Sequence, residues 1–249
     1  MPNVWIYTLS SVVLVSLISF VGILAISIKT ENMKKILLYL VSFSAGALLG
    51  DVFIHLLPEI VEDKGFGINI SLYVLLGIIV FFILEKIIDW HHHHDLNSKT
   101  HLHPFAITNL FGDAFHNFID GLIIAVSYLV SIPVGIATTL AVVLHEIPQE
   151  IGDFGVLLHG GFTKARALFF NFITALMAIV GAIIALVISS YTANITTVLI
   201  PFAAGGFIYV AGSDLIPELH KEVAVKKSVL QLAAFILGIL LMMTLLLLE

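Results

Sequence analysis

The chain alternates between long apolar runs and short polar clusters. The runs fall near residues 4–28, 36–60, 68–88, 104–130, 132–159, 167–189, 195–217 and 228–248. About 20 consecutive apolar residues in helical form cross the hydrocarbon core of a bilayer. Lipid offers the backbone no hydrogen-bond partners, so such runs must be helical. The pattern predicts an all-α integral membrane protein with eight transmembrane helices, residues 1–249 forming a single transmembrane domain. The first run is too long for a signal-peptide core and lacks a basic start, so it reads as a helix of the mature chain.

Composition agrees with this reading. Apolar residues make up 59% of the 249 and charged residues 11%, whereas soluble domains run near 45–50% and 25%. Mean hydropathy is +1.10. No cysteine is present, which removes disulfides and thiolate metal sites. Charge placement then tests the span count. Lys29, Lys34, Lys35, Lys86, Lys99, Lys164, Arg166, Lys221, Lys226 and Lys227 fall in connections that share one side only if there are eight spans; Lys64 alone lies opposite. The positive-inside bias makes the crowded side cytoplasmic and puts both termini outside. The expected location is the cell membrane.

A short internal repeat adds architecture. Phe43–Glu59 (FSAGALLGDVFIHLLPE) aligns without gaps on Phe202–Glu218 (FAAGGFIYVAGSDLIPE), with identities that include the closing Pro-Glu. The first copy lies in span two and the second in span seven, so they would cross in opposite directions. Inverted repeats are a recurring transporter architecture.

Chemistry concentrates in two neighbouring spans. Span four carries Asp113, His116, Asn117 and Asp120; span five carries His145, Glu146, Gln149, Glu150 and Asp153. An ionisable group at mid-membrane costs roughly 2.5–3.5 kcal/mol on insertion scales, so such groups need partners, water or an ion. His116 with Asp120, and His145 with Gln149, are i, i+4 pairs that stack on one helical face. Two facing helices would thus offer one ion four nitrogen and oxygen ligands. Asn117 and Glu146, one residue round, would form a second, adjoining oxygen-rich site. Pro148 should kink span five and free a carbonyl near these groups.

HNFIDG in span four and HEIPQEIGDFGVLL in span five resemble the signature helices of the ZIP family of zinc and iron transporters. They are most similar to its histidine-rich branch, whose fifth helix reads HEXPHEXGD. GALLGDVFIHLLPE and FFILEKIIDWHHHH are similar to that branch as well. The resemblance implies eight helices in a three-two-three inverted arrangement with a two-metal site between helices four and five. It makes His116, Asp120, His145 and Gln149 ligands of the first site, with Asn117 and Glu146 serving the second and Gln149 a candidate shared ligand. The implied cargo is Zn2+, with Fe2+, Mn2+ and Cd2+ as alternatives, moved toward the cytoplasm. Where the branch has histidine this chain has Gln149, which puts zinc preference in question.

The remaining polar residues divide between pathway and support. Asp51 and His55 in span two, and Asp214 in span seven, are candidates for a metal path or for helix-interface hydrogen bonds. Asp113, Glu150 and Asp153 are candidates to relay ions or protons, or to orient the ligands. Residues 89–103 form an expected cytoplasmic loop rich in histidine (His91, His92, His93, His94, His101, His103), suited to catching metal. Glu85 and Lys86 read as an ion pair at the interface. The expected partners are a divalent metal ion, the lipid bilayer and a second copy of the chain, with no nucleic acid. No enzyme is expected: an intramembrane metalloprotease would carry H-E-x-x-H, and the chain reads HEIPQ. A metal sensor that transports nothing is the other alternative.

Overall fold

Each apolar run contains a helix long enough to cross a membrane. The structure is a computed structural model that describes residues 2–23, 30–65, 67–94, 104–191 and 195–248. The crossing helices are α1 (Asn3–Val21), α2 (Ile36–Glu62), α3 (Ile68–Lys86), α4 (Asn109–Val130), α5 (Ile132–His159), α6 (Lys164–Ser189), α7 (Ile195–Leu219) and α8 (Val225–Leu245). Beyond its crossing portion, the α3 helix continues to His94. The first part of the expected histidine loop therefore extends that helix. Residues 95–103, with His101 and His103, lie outside the described residues.

Packing sorts the helices into two groups. α2 runs along α8, and α3 along α7; α4 packs on α5 and α6, and α1 on α5 and α6. Lighter contacts of α2 with α5, and of α3 and α7 with α4, join the groups. Lipid removes the hydrophobic drive between helices, so close van der Waals approach must supply the attraction, and small residues permit it. A Cβ on Gly46 of α2 would collide with the Phe235 carbonyl of α8, and one on Gly238 with the Phe43 carbonyl. The same reciprocal arrangement joins the other pair. A Cβ on Gly205 of α7 would meet the Val74 carbonyl of α3, and one on Gly77 the Phe202 carbonyl.

These two crossings carry the internal repeat into three dimensions. Phe43 and Gly46 are the repeat equivalents of Phe202 and Gly205, and each copy pairs with a helix from the opposite half. Each copy also holds a wide π turn, Asp51–Leu56 in α2 and Ala211–Leu215 in α7. Both turns end two residues before a proline, Pro58 or Pro217. A proline has no N–H to donate into the preceding turn, and single π turns of this kind often mark functional helices.

The break in α5 has its own support. Pro148 is buried inside the helix, so the Leu144 carbonyl four residues earlier loses its partner. Ser44 of α2 fills the gap: its hydroxyl lies 2.5 Å from Leu144 O and 2.8 Å from Leu40 O of its own helix. The expected free carbonyl is thus taken up across the α2–α5 contact.

Candidate metal site

The i, i+4 spacing on α4 and the adjacent pair on α5 do bring side chains to one point. His116, Asp120, His145 and Glu146 each offer a ligand atom, and these atoms all lie within 4.8 Å of one another. His116 Nε2 is 3.3 Å from His145 Nε2 and 3.6 Å from Asp120 Oδ2. His145 Nε2 is 3.1 Å from Asp120 Oδ2, and Glu146 Oε1 is 3.4 Å from His145 Nε2 and 3.5 Å from His116 Nε2. Four ligands held tetrahedrally at about 2.0–2.2 Å from a zinc ion would stand roughly 3.3–3.6 Å apart. The observed separations cluster around that figure.

The ring of His145 is set for this use. Its Nδ1–H donates to Ala141 O at 3.1 Å, which leaves the Nε2 lone pair facing the cluster. Such outer hydrogen bonds fix the tautomer and aim the ligand nitrogen. The second helix group closes the site from outside. Phe207 of α7 stands edge-on to His145, ring centroids 5.9 Å apart, and Phe81 of α3 does the same to His116 at 6.4 Å. Asp120, His145 and Glu146 are almost wholly buried, and His116 keeps 16% of its side chain exposed.

That exposed edge opens on a cavity of about 370 Å³. Gln149 lines it beside His116, together with Asn109, Asp113 and Asp153. Its far wall comes from α3 and α7 and includes Glu85, Asp214 and Glu218. The expected Glu85–Lys86 pair is replaced by another contact, with the Tyr209 hydroxyl donating to Glu85. Asp51 and His55 do not line this cavity. The Thr138 hydroxyl of α5 donates to Asp51 at 3.3 Å, and His55 Nε2 bonds Met242 O of α8 at 3.0 Å, so both join α2 to its neighbours.

Near the histidines, three asparagines each hold one carboxylate. Asn117 donates to Asp113 Oδ1 at 2.8 Å, Asn109 to Asp153 Oδ1 at 2.9 Å, and Asn171 of α6 to Glu150 Oε2 at 2.7 Å. Asn109 and Asn171 had no place among the residues expected from sequence. Their signal is faint: an amide inside an apolar helix, which usually marks a helix contact.

The comparisons with known proteins agree with the geometry. The family model described as ZIP Zinc transporter matches residues 3–104 and 91–246. The chain is 34% identical to zinc transporter ZIP13 of Pongo abelii over 96% of its own length and 78% of that protein. Identity to zinc transporter ZIP13 of Danio rerio is 32%, covering 95% of this chain and 85% of the relative. For zinc transporter SLC39A7 of Mus musculus it is 28%, over 96% and 69%. Eight crossing helices among the described residues, a largely buried two-histidine, two-carboxylate cluster and these matches lead to one conclusion: the chain is a multi-pass membrane protein that belongs to the ZIP zinc transporter family.

Proposed function

We propose that the chain carries divalent transition metal ions, zinc foremost, through the membrane toward the cytoplasm, and that the α4–α5 cluster is where the ion sheds its water. One observation supports this most: four nitrogen and oxygen donors, three of them buried, lie within 4.8 Å of one another, and the five separations given above are close to those a tetrahedral zinc ion requires. In this reading His116, Asp120 and His145 are ligands, and Glu146 completes the set from the position next to His145. Gln149 meets the ion at the cavity wall, and the amide oxygen of Asn117 serves the adjoining oxygen-rich site. Fe2+, Mn2+ and Cd2+ are competing cargoes. The ion then leaves along the cavity past Asp214. The chain sits in the cell membrane with both termini outside.

A carrier fits these residues better than an intramembrane protease. A zinc protease needs a second histidine at i+4 to hold the metal and a glutamate free to act as base. Here position i+4 is Gln149, and Glu146 faces both histidines. Uptake of zinc into sealed vesicles containing the purified chain tests the proposal. Wild type should accumulate zinc above empty vesicles, and His145→Ala should reduce uptake at least about tenfold, as loss of a direct ligand predicts. Zinc bound without accumulation would mean a sensor rather than a carrier.

A further inference from the structure

We propose that the groove between α4 and α6 holds an anionic phospholipid, with one acyl chain in the groove and the headgroup phosphate on Arg166. The site is separate from the metal cluster and does not depend on what the chain carries.

The groove is built from apolar side chains on two helices. Phe111 and Ala114 of α4, with Ile107 of the helical turn that leads into it, form one wall. Phe170 and Thr174 of α6 form the other, and Phe162 of the α5–α6 connection lines it as well. The space is about 630 Å³, within the roughly 300–1,000 Å³ of small-ligand sites. The rings of Phe162 and Phe170 meet edge to face with centroids 5.5 Å apart, which stiffens the wall. Thr174 brings no unpartnered polar atom: its hydroxyl lies 2.8 Å from Asn171 O and 3.1 Å from Phe170 O, both on its own helix.

The groove opens outward on the face that meets lipid. Phe111 is 74% exposed, Ile107 44% and Phe170 36%, and α4 and α6 are both long and apolar enough to cross the membrane. An apolar hollow offers water no hydrogen-bond partners and stays dry. In a bilayer the molecule at hand to fill it is a lipid tail.

Charge selects the lipid. Among the described residues that line the groove, Arg166 alone is charged. It is exposed and lies in the first turn of α6, whose crossing portion begins at Lys164. That places its guanidinium near the membrane surface, at headgroup depth. Among the described residues, the lysine and arginine ion pairs are those of Lys221 with Glu218 and Lys227 with Glu222. Arg166 is therefore left for an outside anion, and a guanidinium offers phosphate two parallel donors. One basic group at an otherwise apolar groove is the complement of an anionic headgroup joined to an acyl chain. The position also gives the bilayer a hold on the carrier: Ala114 lies two residues before His116 on the helix that bears His116 and Asp120.

Native mass spectrometry of the purified full chain in detergent, titrated with phosphatidylglycerol or phosphatidylcholine, tests the site. Wild type should retain one phosphatidylglycerol more tightly than phosphatidylcholine. Arg166→Gln should weaken phosphatidylglycerol about fivefold, the scale of one basic residue beside anionic lipid, while Arg166→Lys keeps most of the binding. Lys86→Gln removes the same charge at the end of α3, away from the groove lining, and should change nothing. Ala114→Phe should fill the groove and weaken both lipids. Equal losses in Arg166→Gln and Lys86→Gln would overturn the proposal in favour of diffuse surface charge. Unchanged binding in Ala114→Phe would overturn it by placing the acyl chain elsewhere. Loss of a dimer rather than of lipid in Ala114→Phe would make the occupant a second copy, and displacement of the lipid by inorganic phosphate would make it a free anion; either result sinks the site. Arg166 is exposed, so its variants read the site even if Ala114→Phe does not fold. Lipid binding needs no zinc, so its failure leaves the transport reading standing, and a failure of zinc uptake leaves this site standing.

Discussion

If the α4–α5 cluster carries the ion, as proposed, Gln149 on the cavity wall beside His116 is the residue to test for metal choice. Zinc takes imidazole readily, while manganese and magnesium favour oxygen. A neutral amide beside His116 gives a softer ion less than the histidine of the related branch would. Gln149→His should therefore tighten zinc binding and move competitive uptake toward zinc over manganese or iron. His145→Ala should instead lower uptake of every metal, because it removes a ligand whose Nδ1–H is already anchored to Ala141. Competitive uptake at matched surface expression checks both; an unchanged metal ranking in Gln149→His would take Gln149 out of the ion's reach. Sequence spacing was enough to bring His116, Asp120 and His145 together, because i, i+4 places side chains on one face whatever the neighbours do. It could not assign Glu146 to the same point. Residue i+1 starts about 100° round the helix, and only the actual approach of α4 shows that its longer side chain reaches both histidines.

At the scale of the helix, the α5 break illustrates how a local fault is repaired from elsewhere. Pro148 and the carbonyl it frees were visible in sequence; the serine that receives that carbonyl was not, since Ser44 lies 100 residues away. Ser44→Ala should strand the Leu144 carbonyl and destabilise the protein by about 1–3 kcal/mol, the usual cost of an unpaired buried group. Thermal unfolding in detergent measures it. Ser42→Ala is the control, because the Ser42 hydroxyl bonds only Leu38 O of its own helix, and its effect should be smaller. In a Pro148→Ala background the position regains its N–H, so the Ser44→Ala loss should shrink. Equal losses in all three comparisons would remove Ser44 from this role. Legibility at this scale follows the same line. The helices themselves come from apolar length, and the crossings come from glycines whose partners sit in the other half of the chain.

At the scale of the molecule, every donor of the histidine cluster comes from α4 and α5, which belong to one packing group. The rings that cover it, Phe81 and Phe207, come from the other. A displacement of one group against the other would keep the ligand set intact while changing what the ion faces. Basic residues make the orientation testable. Tags at both termini should be labelled by an impermeant reagent on intact cells, since ten of the eleven basic residues fall on the opposite side. Labelling at only one terminus would mean that the protein crosses the membrane an odd number of times. The number of spans was legible because charge and hydropathy both count crossings; which helices touch was not, because the pairs α2–α8 and α3–α7 are distant in sequence. Those pairs have a consequence for biogenesis. α2 and α3 reach the membrane early in synthesis, yet the backbones that Gly46 and Gly77 are shaped to meet arrive with α8 and α7, which are made after the six helices before them. Until α7 and α8 have been made, α2 and α3 must wait in lipid with their glycine-lined faces uncovered. Any device that shields nascent helices, or any truncation that removes α8, acts on the assembly of the whole protein.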